Sequence, residues 1–149
     1  MDNQQPGTGF KTRQDLKKFL YIIWVALLAS HGTILYTSTI LQKNAPEGRN
    51  SMGFNVLVGI VVIVVAVVYF MHKKVRRISK SKELEDGPSF NPASANQLII
   101  FSILTWALCE ALTILGVVTP LVVGKAGVEL SYSFIALGIG FHLIRKPSL

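Results

Sequence analysis

The residue best suited to chemistry is Glu110, a carboxylic acid inside the apolar run LTWALCEALTILGVVTPLVV, which covers residues 104–123. A charge at the centre of a lipid bilayer costs at least ~2.5–3.5 kcal/mol, so Glu110 must be neutral, paired with another polar group, or bathed by water in a cavity. Two roles are compatible with these conditions. The carboxyl group takes up and releases an ion, or it ties its helix to hydroxyl groups on a neighbouring helix.

Histidine supplies a second titratable group at the same depth. His31 lies about 12 residues into the first apolar segment and Glu110 about 13 residues into the third, which places both ~18–20 Å from the cytoplasmic edge at 1.5 Å per residue. Together with the hydroxyl groups of Ser30 and Thr113, these two residues form the predicted ion-binding site or buried polar network.

Other kinds of chemical site are not expected. His142 lies near the cytoplasmic end of the fourth apolar segment, so it is expected ~15 Å from the level of His31, which argues against a haem held between the two. Cys109 is the single cysteine, which excludes an internal disulfide or a CxxC metal site. The sequence has no HExxH motif, paired-Asp motif or Gly-rich phosphate loop. We therefore expect no catalytic residue, no metal and no cofactor, and a protein that is not an enzyme.

The elements that must hold these side chains are predicted from hydropathy. Of the 149 residues, 50% are hydrophobic and only 15% are charged, the reverse of a soluble domain. The apolar residues form four blocks, 19–41, 54–71, 97–123 and 128–144, each long enough to cross or nearly cross a hydrocarbon core about 30 Å thick. We expect an all-α polytopic membrane protein with four transmembrane helices in a single domain, residues 1–149. Ser94 or Asn96 is the predicted cap of the third helix.

Basic residues determine the predicted orientation. Lys and Arg concentrate in the N-terminal tail and in the loop 72–96, so both termini and this loop are predicted to be cytoplasmic, in a bacterial inner membrane. The first block is too long for a secretory signal and lacks a small-x-small cleavage site, so it is expected to remain as a helix. Because most of the net charge of +7 lies beside helix ends, we expect anionic lipids, not nucleic acid, as partners. The residues expected to contact these lipids are Lys73, Lys74, Arg76 and Arg77.

The polar face of the third helix is predicted to meet protein. Seven residues fall within one arc of ~140° at 100° per residue: Ser102, Thr105, Trp106, Cys109, Glu110, Thr113 and Gly116. The first helix has a similar stripe at Ser30, Thr33 and Thr37, with His31 and Ser38 on its flank.

The second and fourth helices are predicted to differ in their surroundings. Ser133, Ala136 and Gly140 are small residues spaced three and four apart, so the fourth helix is expected to approach a neighbour closely along this face. The second helix has no polar residue before Tyr69 in its run VLVGIVVIVVAVVYFM. It is therefore predicted to be peripheral and surrounded by lipid.

One segment of the third helix carries a family resemblance. The stretch EALTILGVV, Glu110 to Val118, resembles the ion-carrying helix of subunit c of rotary ATP synthases, in which a mid-membrane Glu precedes small and aliphatic residues and a Gly. The resemblance implies that Glu110 takes up and releases a translocated proton or sodium ion. The preceding helix lacks the repeated Gly-x-Gly of those rings. With WVALLAS in the first span and a terminal basic-Pro tail, the whole chain resembles small four-span bacterial membrane proteins of unassigned function.

Two functions follow from these patterns. The small size and the protein-facing stripes favour a non-catalytic subunit or assembly factor of a larger membrane complex, with other membrane subunits or further copies of the chain as partners. The alternative is a homo-oligomer that translocates protons or other ions through Glu110.

Overall fold

Four long α-helices make up most of the described part of the protein. The computed structural model describes residues 10, 12–48, 50–84 and 90–147. Within them lie α1 (Arg13–Lys43), α2 (Ser51–Ser79), α3 (Pro92–Val123) and α4 (Val128–Ile144), with 3₁₀ turns at Lys82–Leu84 and Lys125–Gly127. All four helices, α4 with its preceding turn, are long and apolar enough to cross a membrane. The prediction of an all-α integral membrane protein with four spanning helices is confirmed. Lys11 and Arg49, which belong to the predicted charge pattern, lie outside the described residues.

The first three helices extend beyond the apolar blocks that predicted them. Charged and amide side chains such as Lys, Arg, Glu and Gln are good helix formers, so a helix does not end where its hydrophobicity ends. α2 continues through the basic sequence to Ser79, and α3 starts at Pro92. The predicted loop 72–96 is therefore helical at both of its ends.

Asparagine and threonine side chains begin these helices. Thr12 accepts a hydrogen bond from the backbone N–H of Asp15 at 3.1 Å and caps α1. Asn91 accepts from the N–H of Ala93 at 2.9 Å and caps α3, with Pro92 at the first helical position, where its missing donor has no cost. The expectation of a cap at Ser94 or Asn96 is wrong, because both residues lie inside the first turns of α3.

α3 is the central helix, and each of the other three packs against it. A first hydrophobic cluster lies near the start of α3, and a second lies in its other half, where α2 and α4 meet it. We call the end with residues 80–84, 90 and 91 the basic end, and the end with residues 44–48, 50 and 124–127 the short-loop end. The outward face of α2 is aliphatic and exposed, in agreement with its predicted peripheral position: Val56, Ile60, Val62, Ile63 and Val67.

The tightest helix contact joins α3 to α4 through two glycines. A Cβ atom at Gly116 would lie 2.8 Å from the carbonyl oxygen of Ser131, and one at Gly138 would lie 2.6 Å from that of Cys109. Both distances are shorter than real Cβ contacts, so only glycine lets the two backbones approach this closely. The face of α4 that meets α3 thus contains Ser131, Ile135, Gly138 and His142, all buried.

The face of α4 predicted to pack closely is not the one that meets α3. Ser133 and Ala136 are exposed, and a Cβ atom at Gly140 would meet nothing within 4 Å. These three residues lie on the side of α4 opposite Gly138, because a shift of two positions turns a helix by ~200°. Small residues occur on both faces of α4, and their spacing does not distinguish the two.

Backbone and side-chain bonds join the two loops at the short-loop end. Asn50 N–H donates to the carbonyl of Val123 at 3.0 Å, and Lys125 N–H donates to that of Pro46 at 3.0 Å. The Lys125 ammonium also forms an ion pair with Glu47 at 2.6 Å. This end therefore provides a common reference level for α1, α3 and α4.

Candidate functional site

Two buried histidines from different helices contact each other in the middle of the protein. His31 Nε2 on α1 lies 3.2 Å from His142 Nδ1 on α4, with the rings perpendicular at 89°. His142 Nε2 lies 3.1 Å from the backbone carbonyl of Trp24. Because a carbonyl oxygen can only accept, His142 carries its proton on Nε2, and its Nδ1 accepts from His31 Nε2–H. This leaves Nδ1 of His31 buried without a hydrogen-bond partner among the described residues.

The expected ~15 Å separation of His31 and His142 is wrong. That expectation placed the C-terminal end of α4 level with the cytoplasmic edge. The joined loops at the short-loop end are the better reference, and from there His31, Glu110 and His142 all lie about 12–14 residues along their helices, or ~18–21 Å. α4 is the shortest helix, so its last turn ends deep between α1 and α3.

The contact between the two imidazoles also bears on whether a haem could bind between them. Its ligands would now be at one level, but the rings touch directly, so a macrocycle between them would require α1 and α4 to separate. Within the described residues, no three or more His, Cys, Asp or Glu side chains form a group that could hold a metal ion.

Glu110 lies at the level of this pair and bonds to α1. It is half-buried, and the Ser30 hydroxyl is hydrogen-bonded to its Oε1. The same Ser30 Oγ lies 2.6 Å from the carbonyl oxygen of Leu27. A hydroxyl has one hydrogen and two acceptor sites, so Ser30 can donate to an ionised carboxylate or accept from a protonated one while donating to Leu27. The arrangement therefore serves both protonation states of Glu110.

Thr113 does not belong to this site. It is fully buried, but its hydroxyl donates to the carbonyl of Cys109 at 3.3 Å, one turn earlier in α3, and its side chain packs where α4 passes closest at Gly138. Threonine commonly satisfies its hydroxyl in this way within a helix. Of the four residues predicted for the polar network, Ser30, His31 and Glu110 are thus at one level, and Thr113 contributes to helix packing.

The predicted polar face of α3 is largely buried. Six of its seven residues are buried, and Glu110 is half-buried. On α1 the outcome is different. His31 and Ser38 face the protein, whereas Thr33 and Thr37 are exposed, with the Thr37 hydroxyl bonded to the Thr33 carbonyl at 3.0 Å. The Thr37 hydroxyl is therefore satisfied within α1 itself.

Two tryptophans donate hydrogen bonds to carbonyl groups at the C-terminal end of α4. Trp24 Nε1–H donates to the carbonyl of His142, and Trp106 Nε1–H donates to that of Arg145, both at 3.0 Å. The Arg145 guanidinium donates to the carbonyl of Phe141 at 3.0 Å. The last carbonyls of a helix have no partner within it, so these donors replace the water that a surface helix would use.

Sequence reasoning missed His142 and Trp24 as members of the site. The available signal was Trp106, which lies far inside its span and away from the interfacial belt that tryptophan prefers. Comparisons of the chain with protein-family models, with curated proteins and with solved structures give no match, so its function is inferred from its own geometry.

Proposed function

We propose that the protein is a small non-catalytic subunit or accessory factor of a larger membrane complex, with both termini and the loop 72–96 in the cytoplasm of a bacterial cell. The observation that carries this proposal is the outward direction of the stripe Ser133, Ala136 and Gly140 on α4. In lipid, helices associate where small residues let their backbones come together. This stripe has no neighbour within the described part of the chain.

α1 has an outward stripe of small and polar residues of its own. Ala26, Ala29, Thr33 and Thr37 are exposed on one side of α1 at spacings of three and four. α1 and α4 are neighbours, and Tyr132 on α4 donates to the side-chain oxygen of Gln42 on α1 at 2.8 Å. The α1–α4 side therefore presents small and polar residues among large ones such as Tyr36 and Leu137, whereas the α2 side presents mainly large aliphatic ones. We assign the partner subunits to the first and lipid to the second.

Gly140→Leu should separate the protein from its complex without unfolding it. A leucine there fills open space in the isolated chain but would hold a partner helix away, and we expect about a tenfold loss of the associated fraction. Native gel electrophoresis and native mass spectrometry of membranes extracted in mild detergent measure that fraction.

Gly59→Leu on α2 is the matched control, since Gly59 is exposed and a Cβ atom placed there would also meet nothing within 4 Å. It should leave the assembly intact. If both variants retain the assembly, or if the unsubstituted chain runs as a bare monomer in both measurements, the α1–α4 side is not a subunit interface.

A second function, proton or ion translocation through Glu110, is favoured by the polar groups at mid-depth. Ser30 can serve either protonation state of Glu110, and the His31–His142 pair ends at the unpartnered Nδ1 of His31. An imidazole that binds a proton on one nitrogen and releases one from the other can pass it along such a pair. A homo-oligomer built on the α1–α4 side would bring several such groups together.

Glu110→Gln tests this function. Glutamine retains the shape and hydrogen-bonding capacity but cannot titrate, so proteoliposomes with the variant should lose most of the proton flux and unfold at an unchanged temperature. Glu129→Gln, which removes an exposed carboxyl group from the first turn of α4, is the control and should retain the flux. A silent Glu110→Gln combined with a destabilised Glu110→Leu would leave the carboxyl group a purely structural tie.

A further inference from the structure

A large positively charged cleft opens at the basic end of the protein. It has a volume of about 950 Å³ and lies between the end of α2, the 3₁₀ turn that follows and the start of α3. Five of the side chains that line it are permanent cations: Lys73, Lys74, Arg76, Arg77 and Lys80. Among the described residues, Glu83 is the one carboxylate in its lining, and it is hydrogen-bonded to Ser94.

The positive charge of the cleft is not neutralised within the described part of the chain. The salt bridge found there is Lys125–Glu47, at the opposite end of the molecule. Lys74 lies over the ring of Phe101 at 3.9 Å, which still leaves its charge without an anion. Several cations converging on one cavity repel each other, so an anionic ligand would stabilise this arrangement.

The cleft also has an apolar wall. Tyr69 and Phe70 line it and are 60% and 68% exposed, and they continue the aliphatic outward face of α2 at Ile63 and Val67. Aromatic side chains at this position, where an apolar span meets a basic segment, are typical of the membrane–water interface. The cavity therefore offers cations on its aqueous side and an apolar track on its lipid side.

We propose that this cleft binds the headgroup of an anionic phospholipid from the cytoplasmic leaflet. The phosphate contacts the Arg and Lys side chains, whose guanidinium groups suit phosphate oxygens. The hydroxyl and amide groups of Ser94 and Gln97 lie in the same lining and can bond the polar parts of the headgroup. The acyl chains follow Phe70 and Val67 along α2. A soluble phosphate compound would use the cations but leave the aromatic wall exposed.

Lipid titration of the whole protein tests the proposal. The purified chain in neutral detergent is titrated with phosphatidylglycerol or with phosphatidylcholine, and bound lipid is counted by native mass spectrometry. Lys73→Gln combined with Arg77→Gln removes two exposed cations that line the cleft. This double variant should weaken phosphatidylglycerol binding about 30-fold, as expected for two basic residues near an anionic lipid surface.

A matched double variant distinguishes a specific lipid site in the cleft from nonspecific attraction between basic residues and anionic lipids. Lys17→Gln with Lys18→Gln removes the same charge from exposed positions near the start of α1, away from the lining of the cleft. It should change phosphatidylglycerol binding less than about threefold, well under the effect expected for the cleft variant. Equal losses in both double variants, equal binding of the two lipids, or displacement of phosphatidylglycerol by inorganic phosphate at equal concentration would each overturn the proposal.

Discussion

Gly138→Leu is expected to prevent α4 from docking against α3. Its side chain would begin 2.6 Å from the carbonyl oxygen of Cys109, and backbone cannot move aside as the far end of a flexible side chain can. We expect a loss of about 3 kcal/mol or more in the free energy of unfolding, at the upper end of the cost of overpacking. Thermal or denaturant unfolding of the purified chain in detergent measures it.

Gly140→Leu is the control for this experiment, because it makes the same substitution two residues later on the open side of α4. Its stability as an isolated chain should change by less than about 0.5 kcal/mol, as for other surface substitutions. Similar stabilities for the two variants would mean that Gly138 does not lie at a close contact.

His142→Phe is expected to cost about 3 kcal/mol, because it removes two buried hydrogen bonds and leaves His31 Nε2–H without an acceptor. The ring volume is nearly retained, so the cost reports hydrogen bonding more than packing. Unfolding in detergent again provides the measurement.

A double-mutant cycle with His31→Leu isolates the contact between the two histidines. When both polar partners are replaced by apolar groups, no imidazole nitrogen is left unsatisfied, so the double variant should recover about 1 kcal/mol relative to the sum of the single changes. Simple additivity would contradict the hydrogen bond between the two imidazoles.

Hydropathy predicted the helices well because their apolar lengths are set by the bilayer. The bounds of α4 agree with the prediction at both ends, since Gly124 and Gly127 interrupt the chain before it and Arg145 ends the apolar run. The N-terminal limits of α1 and α3 were placed too late, because helix continues into polar sequence that no hydropathy window includes. The predicted interior face of α3 is right, since its polar and aliphatic residues segregate clearly.

The candidate site was only partly predictable, because hydropathy does not show how far along its neighbours each helix begins and ends. His31 and Glu110 were placed at one depth correctly, since both were counted along parallel helices that start at the basic end. His142 was misplaced, because a short helix can begin level with its neighbours and end halfway along them. The packing face of α4 depends on which of its two stripes of small residues meets α3. The stripe with Gly138 does so, because Gly116 lets the backbone of α3 approach α4 on that side.

The buried end of α4 has a consequence for the order in which the protein assembles. Its last carbonyls are satisfied by Trp106 and Trp24, which lie 39 residues from Arg145 and 118 residues from His142 along the chain. Until both indole donors are in place, the carbonyl of Arg145 would lack the bond from Trp106, and that of His142 would keep only the bond from the Arg145 backbone N–H. An unsatisfied carbonyl in hydrocarbon costs several kcal/mol. α1 and α3, which carry these two donors, must therefore be in place before α4 can reach its final position.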